Sequence, residues 1–482
     1  MVQKLAKNKE DDGVIQLKRT IGYFSGTNLI IGVTVGSGIF ISPGGVMKYS
    51  QLDVGIAMIV WLLAGLLTML AALCYAELGA ALPLSGGNYY HIKRCLGPIP
   101  AFIFLWTITM FRRPASVAIK ALTFAEYAVK PFYYGCAAPV LTKKCTALAS
   151  VWLVCCLNCI SVKWASYTHN VFTVLKVVAL AIISIGGLVV LTKGKTQYLE
   201  KGFIANAPEA SYIGQAFYHA FFAYSGWGII NNAAEELKNP SKNIPRCIMT
   251  AIPMVTVFYL LVNISYLTVM TPKEVASSAS VAITWADRVI GSFSWIIPMS
   301  VAISTFGSIN GSTFSQGRLN YAASREGHMP PILAMLHVKY LTPAPGIIFS
   351  TIISSVFIIP SSLLSLTGYF GFSSWLLVGL TCLSLIVLRF REPTLHRPYK
   401  VFLPFAFVMV AVSCFLVLAP IIQSPQLEYI YALLFMLSGL IIYFPFVYFK
   451  LHFKFFDKIT YHLQLLMEIT HSEVYENGSK NQ

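Results

Sequence analysis

The chain has 482 residues, of which 56% are hydrophobic and only 11% are charged. A soluble domain carries about 25% charged residues, so this composition excludes a protein whose whole surface faces water. The formal charge of +16 arises from 35 Lys and Arg against 19 Asp and Glu. Basic residues cluster in short segments between long apolar runs. This is typical of cytoplasmic loops beside anionic lipid and argues against nucleic acid as a partner. The composition predicts an all-α protein of the lipid bilayer.

Apolar runs long enough to cross a membrane recur along the chain. About 20 apolar residues are needed for one helical span, and the sequence predicts twelve spans. They begin near Tyr23, Gly55, Ile99, Thr146, Val171, Ile213, Ile248, Trp295, Gly346, Tyr369, Phe402 and Ile430. Residues 1–19 are polar and run directly into the first span, so we expect an uncleaved cytoplasmic tail. The amphipathic segment within 453–482 is expected on the cytoplasmic leaflet.

The orientation follows from the distribution of Lys and Arg. Loops 91–97, 238–246, 324–330 and 389–400 are basic and are assigned to the cytoplasm, whereas QSPQLEY before span 12 has no Lys or Arg. Positively charged loops remain on the cytoplasmic side during insertion. We therefore expect both termini in the cytoplasm.

Span 1 contains a polar, glycine-rich interruption, IIGVTVGSGIF, with Thr34, Gly36, Ser37 and Gly38 near its centre. Unwinding there would free backbone N–H groups at the start of a half-helix, where they and the local dipole can hold a carboxylate. The alternative is that the glycines are small-residue contacts between packed helices.

Span 6 is interrupted in a similar way at FFAYSGWGII, which contains Phe222, Ser225, Gly226 and Gly228. The two interruptions begin comparable five-span units, 20–200 and 201–400, and leave 401–452 for spans 11 and 12. Matched interruptions indicate a substrate site between two inverted repeats. Free N–H groups and carbonyls facing each other would recognise the carboxylate and ammonium of an α-amino acid.

Span 3 contains Arg112, Arg113, Pro114 and Lys120. A charge inside the membrane normally faces protein or a water-filled cavity. Arg113 and Lys120 are seven residues apart and share one helix face. Two interpretations remain open: contact with substrate, or a structural charge network with Glu126 or with loop carbonyls.

Other charges in the spans also allow two interpretations. Lys176 in span 5 is either a lysine that extends to the membrane surface or a fixed ammonium where a coupling cation would otherwise bind. Glu77, Glu235 and Glu236 lie near cytoplasmic helix ends. They would form gating salt bridges with the SREG or KNIPR segments, or else be solvated charges.

The ten cysteines show no metal-ligand spacing, so no metal or cofactor is expected. Cys136 stands in a polar stretch between spans 3 and 4, where an exterior thiol would be free for an intermolecular disulfide. No Asn-x-Ser/Thr site falls on a predicted exterior loop, which favours a glycosylated partner.

Several longer motifs carry a resemblance that covers the chain from about Gln16 to Glu468. QLKRTIGYFSGTNLIIGVTVGSGIFISP, AYSGWGIINNAAEELKNPSKNIPR, NGSTFSQGRLNYAASREGHMP, LTPAPGIIF and HRPYKV resemble the light chains of heteromeric amino-acid transporters, within the amino acid–polyamine–organocation superfamily. In that family the chain most resembles the light chain of the cystine and dibasic amino-acid exchanger and its aromatic-preferring relative. The resemblance implies a LeuT-type fold, with ten core helices in two inverted repeats and two further helices.

The resemblance also implies roles for individual residues. Cys136 matches the cysteine that forms a disulfide with a single-span glycoprotein heavy chain. Phe222 matches an aromatic gate over bound substrate, and Lys176 matches a lysine that occupies a sodium position of related symporters. Gly36, Ser37 and Gly38 match the carboxylate-binding turn. Together with the helix breaks, the charge in span 3 and the departures below, the candidate substrate-binding residues are Thr34, Gly36, Ser37, Gly38, Arg113, Phe222, Ser225, Gly226, Gly228 and Ser374.

Departures from the family indicate the substrate class. Ser225 replaces an acidic residue of the dibasic exchanger, and Ser374 replaces an arginine of the anionic cystine/glutamate exchanger, although Arg113 matches a basic residue of that relative. Lys120 replaces an apolar residue, and the sequence does not explain it. Gly228 replaces an asparagine of several relatives and opens side-chain space.

The expectation is a sodium-independent exchanger of neutral L-amino acids, including aromatic ones. It would act in the plasma membrane, with the apical membrane of epithelial cells as a candidate location. The alternatives are a cystine/dibasic exchanger and a proton- or sodium-coupled symporter. A channel or an enzyme would need features that the sequence lacks.

Overall fold

The computed structural model describes residues 22–471 except for 83–87, 134–135, 137, 161, 195, 200–201, 203–207, 233–236, 279, 326, 341, 361–362, 424–426, 450 and 452–453. The predicted N-terminal tail, and Glu235 and Glu236 with their expected salt bridges, lie outside the described residues.

Helices occupy all twelve predicted span positions, and we keep the span numbers for them. Spans 1 and 6 are each divided into two helices, a and b. The bounds are Tyr23–Thr34 (1a), Gly38–Tyr49 (1b), Val54–Ala81 (2), Pro98–Phe132 (3), Val140–Ile160 (4), Val162–Thr192 (5), Ala210–Ala223 (6a), Ile229–Asn232 (6b), Pro240–Val269 (7), Ile296–Arg325 (8), Ala344–Ile358 (9), Leu363–Arg391 (10), Leu403–Gln423 (11) and Leu427–Ile442 (12), the last extended by a π-helix over Tyr443–Tyr448.

The described helices confirm an all-α polytopic membrane fold with discontinuous spans 1 and 6. By length and apolar composition, nine described helices can cross a membrane, and the bent pair of span 1 makes a tenth. The two remaining spans are shorter because span 6 is broken and span 9 has only 15 residues.

Short elements connect the spans. Helices Asn88–Leu96, Pro272–Ser277 and Val281–Val289 lie in loops, and helix Lys454–Met467 follows span 12. Strand β1 (Met335–His337) pairs antiparallel with strand β2 (Ile469–His471). The pairing attaches the segment after span 12 to the loop between spans 8 and 9.

Glu77 at the end of span 2 has different partners from those predicted. Its carboxylate is fully buried and accepts hydrogen bonds from Arg389 Nε at 2.6 Å, Arg389 Nη2 at 2.7 Å and the backbone N–H of Val401 at 2.7 Å. Arg397 Nε lies 3.5 Å away. The prediction of partners in SREG or KNIPR is wrong, because span 10 packs against span 2 and delivers its own basic end to this carboxylate.

Removing this buried charge is expected to destabilise the protein strongly. In Glu77→Gln the neutral amide leaves Arg389 and Arg397 without their counter-charge, which typically costs about 3 kcal/mol or more. Glu392→Gln is the matched control, because Glu392 also accepts two hydrogen bonds from one arginine, Arg94, but is only half-buried. Thermal unfolding of the two purified variants should show a drop of several degrees for Glu77→Gln and little change for Glu392→Gln. Equal drops would contradict this account.

A histidine contact joins helix Asn88–Leu96 to the segment after span 8. The Tyr89 hydroxyl lies 3.0 Å from ring nitrogens of His328, and the two rings pack edge to face. Burial, with a smaller effect from nearby Lys93, lowers the pKa of His328 from 6.5 to about 4. The folded protein therefore holds this ring neutral at pH 7.

The sign of the pH effect follows from this lowered pKa. Because the folded pKa lies below the unfolded value, the contribution of His328 is complete above pH 6.5 and is lost as the pH falls towards 4. We expect the unfolding temperature of the wild-type protein to drop between pH 7 and pH 5 by more than that of His328→Asn, which cannot take up the proton. An identical drop in both proteins would show that His328 does not contribute.

Candidate functional site

The break in span 1 exposes backbone and hydroxyl groups inside the protein. Helices 1a and 1b meet at 52°, and residues 35–37 between them belong to neither helix. Among the described residues, the hydroxyls of Thr34 and Ser37 are buried and have no hydrogen-bond partner. The N–H groups of Gly38 and Ile39 at the start of helix 1b lack intrahelical acceptors, whereas that of Phe40 donates to the carbonyl of Ser37 at 3.1 Å. This break therefore presents several donors without acceptors, which suits a carboxylate.

The break in span 6 is a turn over residues 224–228. Gly226 adopts φ of +116°, and a Cβ atom there would lie 2.8 Å from Cγ1 and 3.0 Å from the carbonyl oxygen of Val33. Both the conformation and the space require glycine at this position. A Cβ atom on Gly228, by contrast, would have no neighbouring atom within 4 Å, so this side of the turn borders open space.

The two breaks face each other. A Cβ atom on Gly38 would collide with the backbone of Ala223, the last residue of helix 6a. Phe222 beside it is buried, and its ring packs edge to face on Phe370 with centroids 5.1 Å apart. The sequence-predicted residues of both breaks thus come together at one place in the bundle.

Tyr259 in span 7 links the breaks, and the sequence did not identify it. Its hydroxyl lies 3.0 Å from the carbonyl oxygen of Thr34 and 2.9 Å from that of Ala223. These are the last carbonyls of helices 1a and 6a, which have no intrahelical donor because each helix ends there. The carbonyl of Thr34 also accepts a hydrogen bond from the backbone N–H of Gly36 at 2.8 Å. A single fully buried hydroxyl can therefore donate to either half-helix end.

Lys176 is buried within the bundle rather than extended to the membrane surface. Its Nζ donates to the carbonyl of Gly32 in helix 1a at 3.2 Å and to Ser308 Oγ in span 8 at 3.0 Å. The ammonium thus connects the helix before the first break with span 8. This geometry fits the fixed-cation interpretation.

A π-helix over Ile108–Arg112 precedes Pro114 in span 3. Proline lacks the N–H that would continue a regular helix, and the wider turn accommodates that loss. Arg113 Nη1 donates to the carbonyl and hydroxyl of Ser315, at 3.0 and 3.3 Å. Arg113 thus points towards span 8, away from Ser374.

Contrary to one interpretation of the sequence, Glu126 does not pair with the described cations of span 3. Glu126 pairs with Lys143 at 2.6 Å, whereas Lys120 donates to Ser312 Oγ at 2.5 Å. Within the part of the chain that the structure describes, neither Arg113 nor Lys120 has an acidic partner. The network with Glu126 therefore does not include them.

Arg112 places a cation beside Ser374. From the sequence, we expected no positive charge there, because Ser374 replaces an arginine of the anionic relative. Its Nε donates to Ser374 Oγ at 2.9 Å, and its guanidinium lies 5.3 Å from the ring centroid of Phe370. Because Phe370 also packs on Phe222, the ring of Phe370 lies between the guanidinium and Phe222, the proposed gate. The sequence could not show which of two adjacent arginines faces this side.

Cys136 is exposed and unpaired in this single chain. It lies between span 3 and span 4, as the sequence predicted. The structure therefore leaves its thiol accessible to another chain.

Two discontinuous helices that face each other in a helical bundle define a class of integral membrane proteins, and this arrangement is typical of secondary transporters. The chain belongs to the amino acid permease family, whose model matches residues 21–448.

Curated relatives match almost the whole chain. The human b(0,+)-type amino acid transporter 1 is 45% identical over 97% of this chain and 98% of that protein. The mouse solute carrier family 7 member 13 is 45% identical over 96% of this chain and 97% of its own length. The mouse large neutral amino acids transporter small subunit 2 is 39% identical over 92% of this chain and 84% of that protein.

Proposed function

We propose that the protein is a sodium-independent exchanger of neutral L-amino acids, including aromatic ones, that works by alternating access. The observation that carries the proposal is the meeting of the two breaks. Unpartnered hydroxyls of Thr34 and Ser37, as far as the structure describes the chain, and the first N–H groups of helix 1b suit a carboxylate. The turn of span 6 supplies carbonyls for an ammonium. Groups of both kinds would hold the backbone of an amino acid whatever its side chain.

The charges near the gate favour neutral over dibasic substrates. Arg112 and Arg113 bring positive charge close to Phe370 and span 8. Among the described residues, neither of them is hydrogen-bonded to a carboxylate, and position 225 carries a serine. A Lys or Arg side chain would meet repulsion here and no counter-charge from these groups.

Aromatic side chains find space and ring contacts beside the span 6 turn. The region around Gly228 is open, and Trp227 packs edge to face on Tyr75 with centroids 4.8 Å apart. Aromatic rings favour this contact geometry. A Tyr or Phe side chain would add one more ring to the group.

The names of the relatives fit the general proposal but differ on the substrate. One is a b(0,+)-type amino acid transporter and another is the small subunit of a large neutral amino acids transporter. By analogy with the latter, we propose a larger complex in the plasma membrane, with a glycoprotein heavy chain joined through Cys136 and both termini in the cytoplasm. Lys176 would replace a coupling sodium ion.

A substitution at position 225 tests the substrate class. In cells that co-express a heavy chain, the wild-type protein should take up labelled tyrosine without sodium, and excess arginine should not compete. Ser225→Asp should gain arginine competition, because a carboxylate would pair with the cationic side chain. Ser225→Asn, which is similar in size to aspartate but neutral, is the control.

The outcomes separate the competing functions. Arginine uptake equal to tyrosine uptake in the wild-type protein would support a cystine/dibasic exchanger instead. Uptake that requires a sodium or proton gradient would support a symporter.

A further inference from the structure

The face of span 8 that meets spans 3 and 5 carries three serines, and each accepts a hydrogen bond from a different cation. Ser308 accepts from Lys176, Ser312 from Lys120, and Ser315 from Arg113. The serines follow the spacing i, i+4, i+7, so they lie on one side of the helix. Three positively charged side chains from spans 3 and 5 therefore donate hydrogen bonds to this serine row.

The cations of span 3 converge on this row. Arg113 and Lys120 are seven residues apart, which separates their Cα atoms by about 10 Å along the helix. Their acceptors Ser315 and Ser312 are three residues apart, or about 4.5 Å along span 8. The acceptors of the two like charges are thus closer together along span 8 than the two backbones are along span 3. Repulsion alone would drive the tips apart.

No carboxylate compensates for these charges in the described part of the chain. Glu126, the acidic residue of span 3, is held by Lys143 at 2.6 Å. Serine hydroxyls are neutral, and ionised groups at membrane depth need a partner of opposite charge or water. Gln316, one turn beyond Ser312, adds a buried side-chain amide nitrogen that has no partner among the described residues.

We propose that Arg113, Lys120 and Ser312 form an anion-binding site between spans 3 and 8, which takes a small monovalent inorganic anion. The site assigns a role to Lys120, which the substrate site does not use. It adjoins the gate, because Ala115 and Ala118 of span 3 pack in the same cluster as Phe222. Occupancy would neutralise the converging charges and hold span 3 against span 8.

Anion binding is measured without transport, so its failure is separate from any failure of the proposed exchange. The thermal unfolding midpoint of the full chain in detergent is followed as sodium chloride replaces sodium isethionate at constant ionic strength. We expect a saturable rise of about 2–4 °C in the wild-type protein. Lys120→Gln should lose the rise and Lys120→Arg should keep it, while Lys193→Gln, which removes an exposed lysine charge, should behave as wild type.

A second arm identifies the source of the anion. In isethionate, L-glutamate is compared with L-glutamine. A shift by chloride supports the proposal, and a shift by glutamate alone would place the two cations in a substrate subsite and would overturn it. If Lys120→Gln does not fold, Ser312→Ala replaces it and should raise the half-saturating anion concentration at least about fivefold, the loss expected for one hydrogen bond. The proposal is overturned if neither anion shifts the midpoint, or if the shift is unchanged in the Lys120 or Ser312 variant.

Discussion

Replacing Tyr259 with Phe is expected to slow amino-acid exchange about 10- to 30-fold. The change removes the hydroxyl that bridges the carbonyls of Thr34 and Ala223. The carbonyl of Thr34 keeps the backbone N–H of Gly36 as a donor, whereas that of Ala223 keeps no donor among the described residues. A buried group that loses its partner costs about 1–3 kcal/mol, and about 1.4 kcal/mol corresponds to a tenfold change. This free energy destabilises the conformation in which the ends of helices 1a and 6a are held together. Counterflow of labelled tyrosine in proteoliposomes measures the effect.

Tyr266→Phe is a closely matched control. Tyr266 lies two turns further along span 7 and is equally buried, but its hydroxyl has no hydrogen-bond partner among the described residues. Its removal should leave exchange within about twofold of wild type, since no bond is lost. Similar losses in both variants would mean that the effect comes from packing in span 7 and not from the link between the breaks.

Replacing Lys176 with Met is expected to reduce exchange by about 100-fold or more. Methionine keeps most of the side-chain volume but removes hydrogen bonds to Gly32 and Ser308, which are worth about 1.5–3 kcal/mol each when the donor is charged. Without them helix 1a is no longer tied to span 8. Tyrosine counterflow, normalised to the amount of folded protein, measures the loss.

Lys193→Met controls for the loss of a lysine charge, because Lys193 is exposed at the end of span 5. We expect wild-type exchange in this variant. Exchange by Lys176→Met within about threefold of wild type would contradict a structural role of the ammonium in transport.

Both helix breaks can be located from the sequence, because glycine and serine clustered inside an apolar run weaken a helix that must satisfy its own backbone in lipid. At Gly226 the structure gives this residue a φ that other residues rarely adopt, and Val33 leaves no room for a Cβ atom. Lys176 allows two interpretations at the level of sequence, because helical spacing alone does not show which face of span 5 is turned inward.

Other features depend on tertiary contacts and could not be predicted. Tyr259 resembles any aromatic residue of an apolar helix until the ends of helices 1a and 6a are placed beside it. Arg112 and Arg113 find their partners on spans 10 and 8, and the packing of those spans around span 3 cannot be read from the sequence. The partners of Glu77 come from a distant part of the chain, with Arg389 separated from it by 312 positions.

Trans-stimulation in proteoliposomes tests most directly whether the two facing breaks form the site of a neutral amino-acid exchanger. The protein is reconstituted with its heavy chain in sodium-free buffer, and uptake of labelled tyrosine is compared between empty liposomes and liposomes loaded with unlabelled tyrosine or arginine. Internal tyrosine should accelerate uptake at least about tenfold, with no acceleration by internal arginine and no effect of added sodium. Uptake that is equal in empty and loaded liposomes, or that arginine accelerates as strongly as tyrosine does, would contradict the account.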